Sequence, residues 1–91
     1  PLLILAPGAE YGSAKRWPPQ YFSEIAQHKL KENWQVILIG SPKEKLIGDQ
    51  IQAAERKLNL SSYQSINLIG RTSLLEAIDL IALSSIVISN D

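Results

Sequence analysis

Four short apolar runs divide the chain at fairly even intervals. They are rich in Ile, Leu and Val, and they lie at Leu2–Ala6, Gln35–Ile39, Ile66–Ile69 and Ile86–Ser89. Within each run the apolar residues are continuous rather than alternating, which is typical of strands buried on both faces of a parallel sheet. The pattern therefore predicts four strands of a parallel sheet.

The segments between these runs have helical spacing. The predicted buried positions of the first two are Phe22, Ile25, Ala26 and Leu30, and then Ile47, Ile51, Ala54 and Leu58. Each set recurs every three or four residues, as on one face of a helix. The third segment, Leu74–Leu83, is apolar almost all round apart from Glu76 and Asp79, so we expect it to be deeply packed.

The starts of these helices carry recognisable signals. Ser41-Pro42-Lys43-Glu44 and Ser73-Leu74-Leu75-Glu76 each read as a serine N-cap followed three residues later by a glutamate, and Pro19 suits the first turn of the first helix. The element order is then β-α-β-α-β-α-β, which implies right-handed crossovers. We predict an α/β fold, a Rossmann-like parallel sheet with strand order 3-2-1-4.

The composition argues against several classes of function. The 91 residues have zero formal net charge, which argues against binding nucleic acid through a broad basic surface. There is no cysteine and the single histidine is His28, so neither a thiolate site nor a histidine metal cluster is expected. No apolar stretch reaches the length of a membrane span. Because the sequence starts at Pro1 and stops straight after a predicted strand, we expect it to be an excised part of a longer protein.

The loop after the first strand is the best candidate for ligand binding. Open α/β sheets bind ligands at the carboxyl ends of their strands, where the strand order reverses. Gly8 follows the first strand and Asp91 the fourth, so the order 3-2-1-4 brings them to one crevice. Lys15 and Arg16 add positive charge, which favours a phosphorylated ligand.

This inference leaves alternatives open. The loop matches neither the dinucleotide-binding nor the P-loop motif, and a non-catalytic flavodoxin-like or receiver-type domain would fit nearly as well. A receiver domain would need an acidic cluster after the first strand, where Pro7-Gly8-Ala9 offers none. Trp17 reads as a packing anchor against the first helix. His28 and the charges at Lys43, Lys45, Arg56 and Lys57 read as exposed helix positions.

Longer motifs resemble a known family. "PGAEYGSAKRWPPQYF" (Pro7–Phe22), "GSPKE" (Gly40–Glu44) and "GRTSLLEAIDLIALSSIVISND" (Gly70–Asp91) resemble the C-terminal domain of the ADP-heptose:lipopolysaccharide heptosyltransferases, glycosyltransferase family 9. The resemblance covers essentially the whole chain and is strongest to the type II enzymes, because Ala9 and Glu10 stand where type I enzymes carry threonines.

The resemblance implies an enzyme of two Rossmann-like domains, the GT-B architecture. Residues 1–91 would be part of its C-terminal, donor-binding domain, and the N-terminal acceptor domain would lie outside the chain. The intact enzyme would transfer L-glycero-D-manno-heptose from ADP-heptose to the heptose of the lipopolysaccharide inner core with inversion.

The resemblance implies no required metal cofactor, although it leaves open an Mg²⁺ on the diphosphate. It also implies a cytoplasmic protein of a Gram-negative bacterium, with peripheral association at the inner membrane left open. Another GT-B transferase or epimerase with a different nucleotide remains the alternative.

The resemblance also assigns roles to individual residues. Lys15 would contact donor phosphate and stabilise the ADP leaving group. Asp91 would meet the sugar or position the next turn, and Thr72 with the Gly70 turn would lie at the adenine. The turn from Ser41 to Glu44 would lie near the ribose, with the contacting residue left open. The complete expected donor site comprises Gly8, Ala9, Glu10, Lys15, Arg16, Ser41, Gly70, Thr72 and Asp91.

Overall fold

The fold is a four-stranded parallel sheet, described here from a computed structural model for residues 1–8 and 17–89. Its strands are β1 (Leu2–Ala6), β2 (Gln35–Leu38), β3 (Ile66–Asn67) and β4 (Ile86–Ser89). They lie in the order β3-β2-β1-β4, and every pairing is parallel. The predicted α/β class and strand order are confirmed.

Two of the strands end earlier than the apolar runs. β2 stops at Leu38 and β3 at Asn67, whereas the apolar runs continue to Ile39 and Ile69. Beyond these ends the backbone stays hydrogen-bonded, since Leu68 N donates to Leu38 O at 2.9 Å. The apolar residues past each strand end instead pack inwards, and Ile69 is 2% exposed.

The connections are helices α1 (Pro19–Lys31), α2 (Lys45–Leu58) and α3 (Leu74–Leu83), with a short 3₁₀ turn at Pro42–Glu44 before α2. The core lies between the sheet and the first two helices. It comprises Leu3, Leu5, Phe22, Ala26, Leu30, Val36, Leu38, Ile51 and Ile69. Alternation along a strand sends Leu3 and Leu5 towards these helices and Ile4 towards the opposite face.

Helix α3 is not deeply packed, and that expectation was wrong. No residue of α3 is buried, and Leu74, Leu75 and Leu83 are each exposed by 74% or more. The helix touches the sheet mainly along β1. Among the described residues no second helix lies beside it, so most of its apolar circumference faces outwards.

Candidate functional site

The end of β1 and the loops after β2 and β3 meet at the carboxyl edge of the sheet, as the strand order predicted. The loop after β2 is tied to β1 because Ile39 N donates to Leu5 O at 2.9 Å. The loop after β3 is tied to the loop after β2, since Gly70 N donates to Gly40 O at 2.8 Å. The end of β1 and the loops that follow β2 and β3 are therefore held side by side.

Gly70 is the point of closest contact between two of these loops. Its φ of +75° lies in the left-handed region that favours glycine, and a Cβ there would come 3.1 Å from Pro42 Cα. Glycine at this position lets the β3–α3 loop lie directly against the β2–α2 loop.

A cavity of about 380 Å³ opens between these loops and the start of α3. It is lined by Ala6, Ile39, Gly40, Ser41, Pro42, Thr72, Ser73, Leu74 and Ala77. The walls are largely apolar, while three of the residues carry hydroxyl groups. A mostly apolar cleft with a few polar groups suits a flat heteroaromatic group that needs both packing and hydrogen bonds.

The Glu44 carboxylate lies next to this cavity, between Gly8 just after β1 and the loop after β2. A Cβ added at Gly8 would overlap it, and one added at Gly40 would lie 3.5 Å from Glu44 Oε2. The Ser41 hydroxyl donates to the same carboxylate. Glu44 thus presents a half-buried acceptor group at the edge where the predicted ligand site lies.

The contact between Ser41 and Glu44 corrects one prediction. Ser41 makes no side-chain cap hydrogen bond, and α2 begins at Lys45 after the 3₁₀ turn. The turn is closed by backbone instead, since Glu44 N donates to Ser41 O at 3.0 Å. Because Pro42 and the 3₁₀ turn occupy the expected first turn of the helix, the Ser41 hydroxyl is directed to the Glu44 side chain.

The second capping box is confirmed at the start of α3. Glu76 N donates to Ser73 Oγ at 3.1 Å, and Ser73 N donates to Glu76 Oε1 at 2.8 Å. The hydrogen bond from the Ser73 backbone, followed by that from its side chain, lowers the pKa of Glu76 below its ordinary value. This box fixes the segment that carries Thr72 and Ser73 to the cavity wall.

Four of the predicted donor-site residues are brought together by these contacts. Ser41 and Thr72 line the cavity, Gly70 joins its two loops, and Gly8 lies against Glu44. The other five, Ala9, Glu10, Lys15, Arg16 and Asp91, lie outside the described residues, and their predicted roles stay predictions.

Trp17 packs against the first helix. Its ring centroid lies 5.5 Å from that of Phe22, a fully buried residue of α1, and 6.4 Å from that of Tyr21. Trp17 itself is 46% exposed. The predicted anchoring of this end of the loop to α1 is confirmed.

The turn from Ser41 to Glu44, predicted to lie near the ribose, includes Pro42, which lines the cavity. Ser73 was assigned only to the start of α3, and that assignment hid its place in the cavity wall. Asn67 ends β3 and its amide contacts the next loop, which no local sequence motif signals. Beside Asn67 a polar groove of about 420 Å³ is lined by Lys45, Asp49, Gln52, Asn67, Ile69 and Arg71.

Another cavity lies at the amino edge of the sheet. It measures about 310 Å³ and is lined largely by apolar groups around Trp34, Val36 and Tyr63. Parallel sheets bind ligands at the opposite edge, so we assign the functional site to the carboxyl-edge cavity.

Within residues 1–8 and 17–89, no group of three or more His, Asp or Glu side chains is arranged to hold a metal ion. Over the same residues, no helix combines the length and apolar character needed to cross a membrane.

Comparison with known proteins identifies related sequences. The model for glycosyltransferase family 9 (heptosyltransferase) matches residues 1–91. Lipopolysaccharide heptosyltransferase 2 of Salmonella typhimurium is 42% identical over 100% of this chain. Lipooligosaccharide heptosyltransferase 2 of Haemophilus influenzae is 38% identical, also over 100% of it. The chain spans 26% of the length of each of these curated relatives.

Solved structures agree with the sequence matches. The E. coli ADP-heptose LPS heptosyltransferase II superposes with a TM-score of 0.85 and 35% identity, covering 100% of this chain and 27% of that one. A glycosyltransferase family 9 structure from Veillonella parvula has a TM-score of 0.77 at 17% identity, over 97% of this chain and 23% of its own. The second match supports the fold alone.

Proposed function

The chain belongs to glycosyltransferase family 9 (heptosyltransferase), and from this premise we propose that it forms the donor-binding part of a lipopolysaccharide heptosyltransferase. One observation carries the proposal: the carboxyl-edge cavity, with Gly8 and the Glu44 carboxylate beside it. The names of the relatives support the reaction, and the name of the E. coli structure supports ADP-heptose as the donor.

The cavity suits the adenosine part of such a donor. Its apolar walls would cover the faces of the adenine, and backbone groups near Gly70 and the Thr72 hydroxyl would meet the edge of the base. The Glu44 carboxylate is an acceptor without hydrogens of its own, so it suits the two hydroxyl groups of the ribose. Ser41 would hold that carboxylate in place through its hydrogen bond.

The diphosphate would then extend towards the loop after β1. In the proposed reaction, a base in the N-terminal domain removes the proton from an acceptor hydroxyl of the lipopolysaccharide core. The oxygen attacks the anomeric carbon with inversion, the bond to the diphosphate breaks, and ADP leaves. Lys15 stabilises the negative charge that develops on this leaving group, with Arg16 nearby in sequence, and Asp91 meets the sugar or positions its turn.

The remaining parts of the proposal concern the whole protein. Residues 1–91 form part of a C-terminal domain, and an N-terminal domain holds the acceptor, so the chain alone has no transferase activity. The protein acts at the cytoplasmic face of the inner membrane, where its acceptor lies. Lysine and arginine supply the charge for the diphosphate, and Mg²⁺ is at most an ion that accompanies the donor.

The role of Lys15 is tested by mutation in the full-length protein. We expect Lys15→Ala to lower turnover by well over about tenfold, because charge on the leaving group loses its partner. Lys57→Ala is the matched control, an exposed lysine on α2 that should leave turnover unchanged. Unchanged turnover per folded molecule in Lys15→Ala would refute the phosphate role.

Donor identity is tested by calorimetry. ADP-heptose should bind the full-length protein and be displaced by ADP, whereas UDP- and GDP-sugars should compete weakly. Glu44→Gln should weaken the binding of ADP more than the binding of inorganic diphosphate, because only ADP carries the ribose hydroxyls. Tighter binding of a uridine or guanosine donor would overturn the assignment.

A further inference from the structure

Asn67 occupies an unusual place at the end of the edge strand β3. Its side chain turns back on the following loop, and its Oδ1 accepts a hydrogen bond from Ile69 N at 3.0 Å. This is an Asx-type contact over two residues, which fixes the direction in which the chain leaves a strand. The exit of the β3–α3 loop is therefore set by a side chain and not by the strand ladder alone.

Helix α2 packs tightly against this turn at a single glycine. A Cβ at Gly48 would come 2.8 Å from Asn67 Nδ2 and 2.7 Å from Ile69 Cδ1, both closer than real contacts allow. Gly48 is buried although it lies inside a helix, where glycine is unfavourable by about 1 kcal/mol relative to alanine. The absence of a side chain lets the Asn67 amide and Ile69 lie against the helix backbone.

The contacts continue from this turn to the wall of the cavity. Ile69 is followed by Gly70, whose N–H donates to Gly40 O and at which an added Cβ would come 3.1 Å from Pro42 Cα. Gly40 and Pro42 both line the carboxyl-edge cavity. A change in the Asn67 turn therefore displaces the residue that sets the separation between two cavity walls.

We infer that Asn67 is a positioning residue for the donor nucleotide, acting through Ile69 and Gly70 on the cavity formed with Gly40 and Pro42. It does not line that cavity, and it lies in the separate polar groove. The inference rests on the proposed function, since it takes the cavity to be the nucleotide site. It predicts an effect on donor binding and none on the chemical step.

The test uses Asn67→Leu in the full-length protein. Loss of the acceptor for Ile69 N should raise the Kd for ADP and the donor KM by roughly fivefold, the factor for one lost hydrogen bond. The kcat and the acceptor KM should stay unchanged. Asn67→Asp keeps an oxygen at the same position and should restore the donor KM.

The control is Gln52→Leu. Gln52 lines the same groove, and its Nε2 donates to Ser65 O at 2.7 Å, so this variant also loses one side chain to backbone hydrogen bond. Ser65 lies before β3 and away from Gly70, so the donor KM should not change. A purely structural role for Asn67 predicts similar effects of both variants on stability and on donor KM.

The outcomes separate the two proposals. If the wild-type protein does not bind ADP, the proposed function fails. If it does, the positioning role is overturned when folded Asn67→Leu binds ADP as tightly as wild type, or when Asn67→Asp does not restore binding. Should Asn67→Leu fail to fold, Gly48→Ala displaces the amide without removing it and should raise the donor KM. An unchanged donor KM in folded Gly48→Ala would equally overturn the role.

Discussion

Glu55 is a carboxylate in the interior of a small domain, 1% exposed on the inner side of α2. It accepts hydrogen bonds from Ser65 Oγ at 2.6 Å, Ser65 N at 3.1 Å and Gln27 Nε2 at 3.4 Å. Gln27 in turn bonds to Tyr63 O and Ser61 N. No lysine or arginine of the described residues forms an ion pair with Glu55, so these donors replace its hydration. The network holds the connection between α2 and β3 against helices α1 and α2.

We expect Glu55→Ala to lower the free energy of unfolding by roughly 3 kcal/mol, because the Ser65 donors lose their buried partner. Urea unfolding followed by tryptophan fluorescence measures this change. Glu24→Ala, at an exposed position of α1, is the control and should shift stability by no more than about 0.5 kcal/mol. Equal stabilities of the two variants would show that the Glu55 network contributes little.

Glu76 makes the start of α3 sensitive to pH. Its pKa is lowered in the folded protein by hydrogen bonds from Ser73, so the folded state favours the carboxylate. The ionised Glu76 therefore stabilises the folded state. This stabilisation is fully present above the ordinary glutamate pKa of 4.5 and is lost as the pH falls through the lowered pKa of the folded protein. A carboxyl NMR titration should show the lowered pKa of Glu76 in wild type and a smaller lowering in Ser73→Ala, which loses the side-chain hydrogen bond but keeps the backbone N–H at this position. An identical Glu76 pKa in the two proteins would contradict this assignment.

At the scale of the elements, the sequence predicted the order of strands and helices because each signal there is local. Continuous apolar runs marked the strands, and alternation with helices restricted the topology to a few arrangements. The ends of β2 and β3 were placed too late, because apolar residues such as Ile69 continue into the core after the ladder ends. The Ser41 cap was wrong for a similar reason: its motif does not reveal that Pro42–Glu44 forms a 3₁₀ turn.

The candidate site was predicted in part. Gly8, Ser41, Gly70 and Thr72 were placed at one edge because parallel strands end together. Glu44 was placed in the turn near the ribose without being chosen as the contacting residue, because only the packing of two loops shows that its carboxylate reaches Gly8. The buried carboxylate Glu55 could not be foreseen either, because a charged residue within a helix ordinarily faces solvent. Contacts between distant segments decide these positions.

Gly70→Ala tests how two elements are joined at the site. Alanine would adopt the positive φ unfavourably and its Cβ would press on Pro42, so we expect a loss of roughly 1–3 kcal/mol in unfolding free energy. Gly40→Ala is the matched control, because its backbone φ is not positive and a Cβ there has room, 3.5 Å from the nearest Glu44 atom. Thermal or urea unfolding compares the two, and equal losses would mean that the close contact at Gly70 is not required.

At the scale of the whole molecule, the described residues bury only one face of the sheet well. Side chains of the sheet and α1–α2 form the core, whereas α3 and β4 leave an apolar surface open. Its most exposed members are Leu74, Leu75, Ile78, Ile81, Leu83, Ile86 and Val87. The relatives contain about four times as much polypeptide, a ratio that follows from the 26% coverage, so they have further chain available for packing.

The 91-residue chain produced by itself should therefore self-associate through α3. Exposed contiguous apolar surface favours association, and zero net charge provides little repulsion to oppose it. Sedimentation velocity should show an average mass that rises with concentration, and Leu75→Lys should shift the distribution towards monomer. Tyr63→Lys is the control, because Tyr63 is comparably exposed at 70% but lies by the amino-edge cavity, away from α3. A monomer at all concentrations, or equal effects of the two lysines, would show that α3 does not drive association.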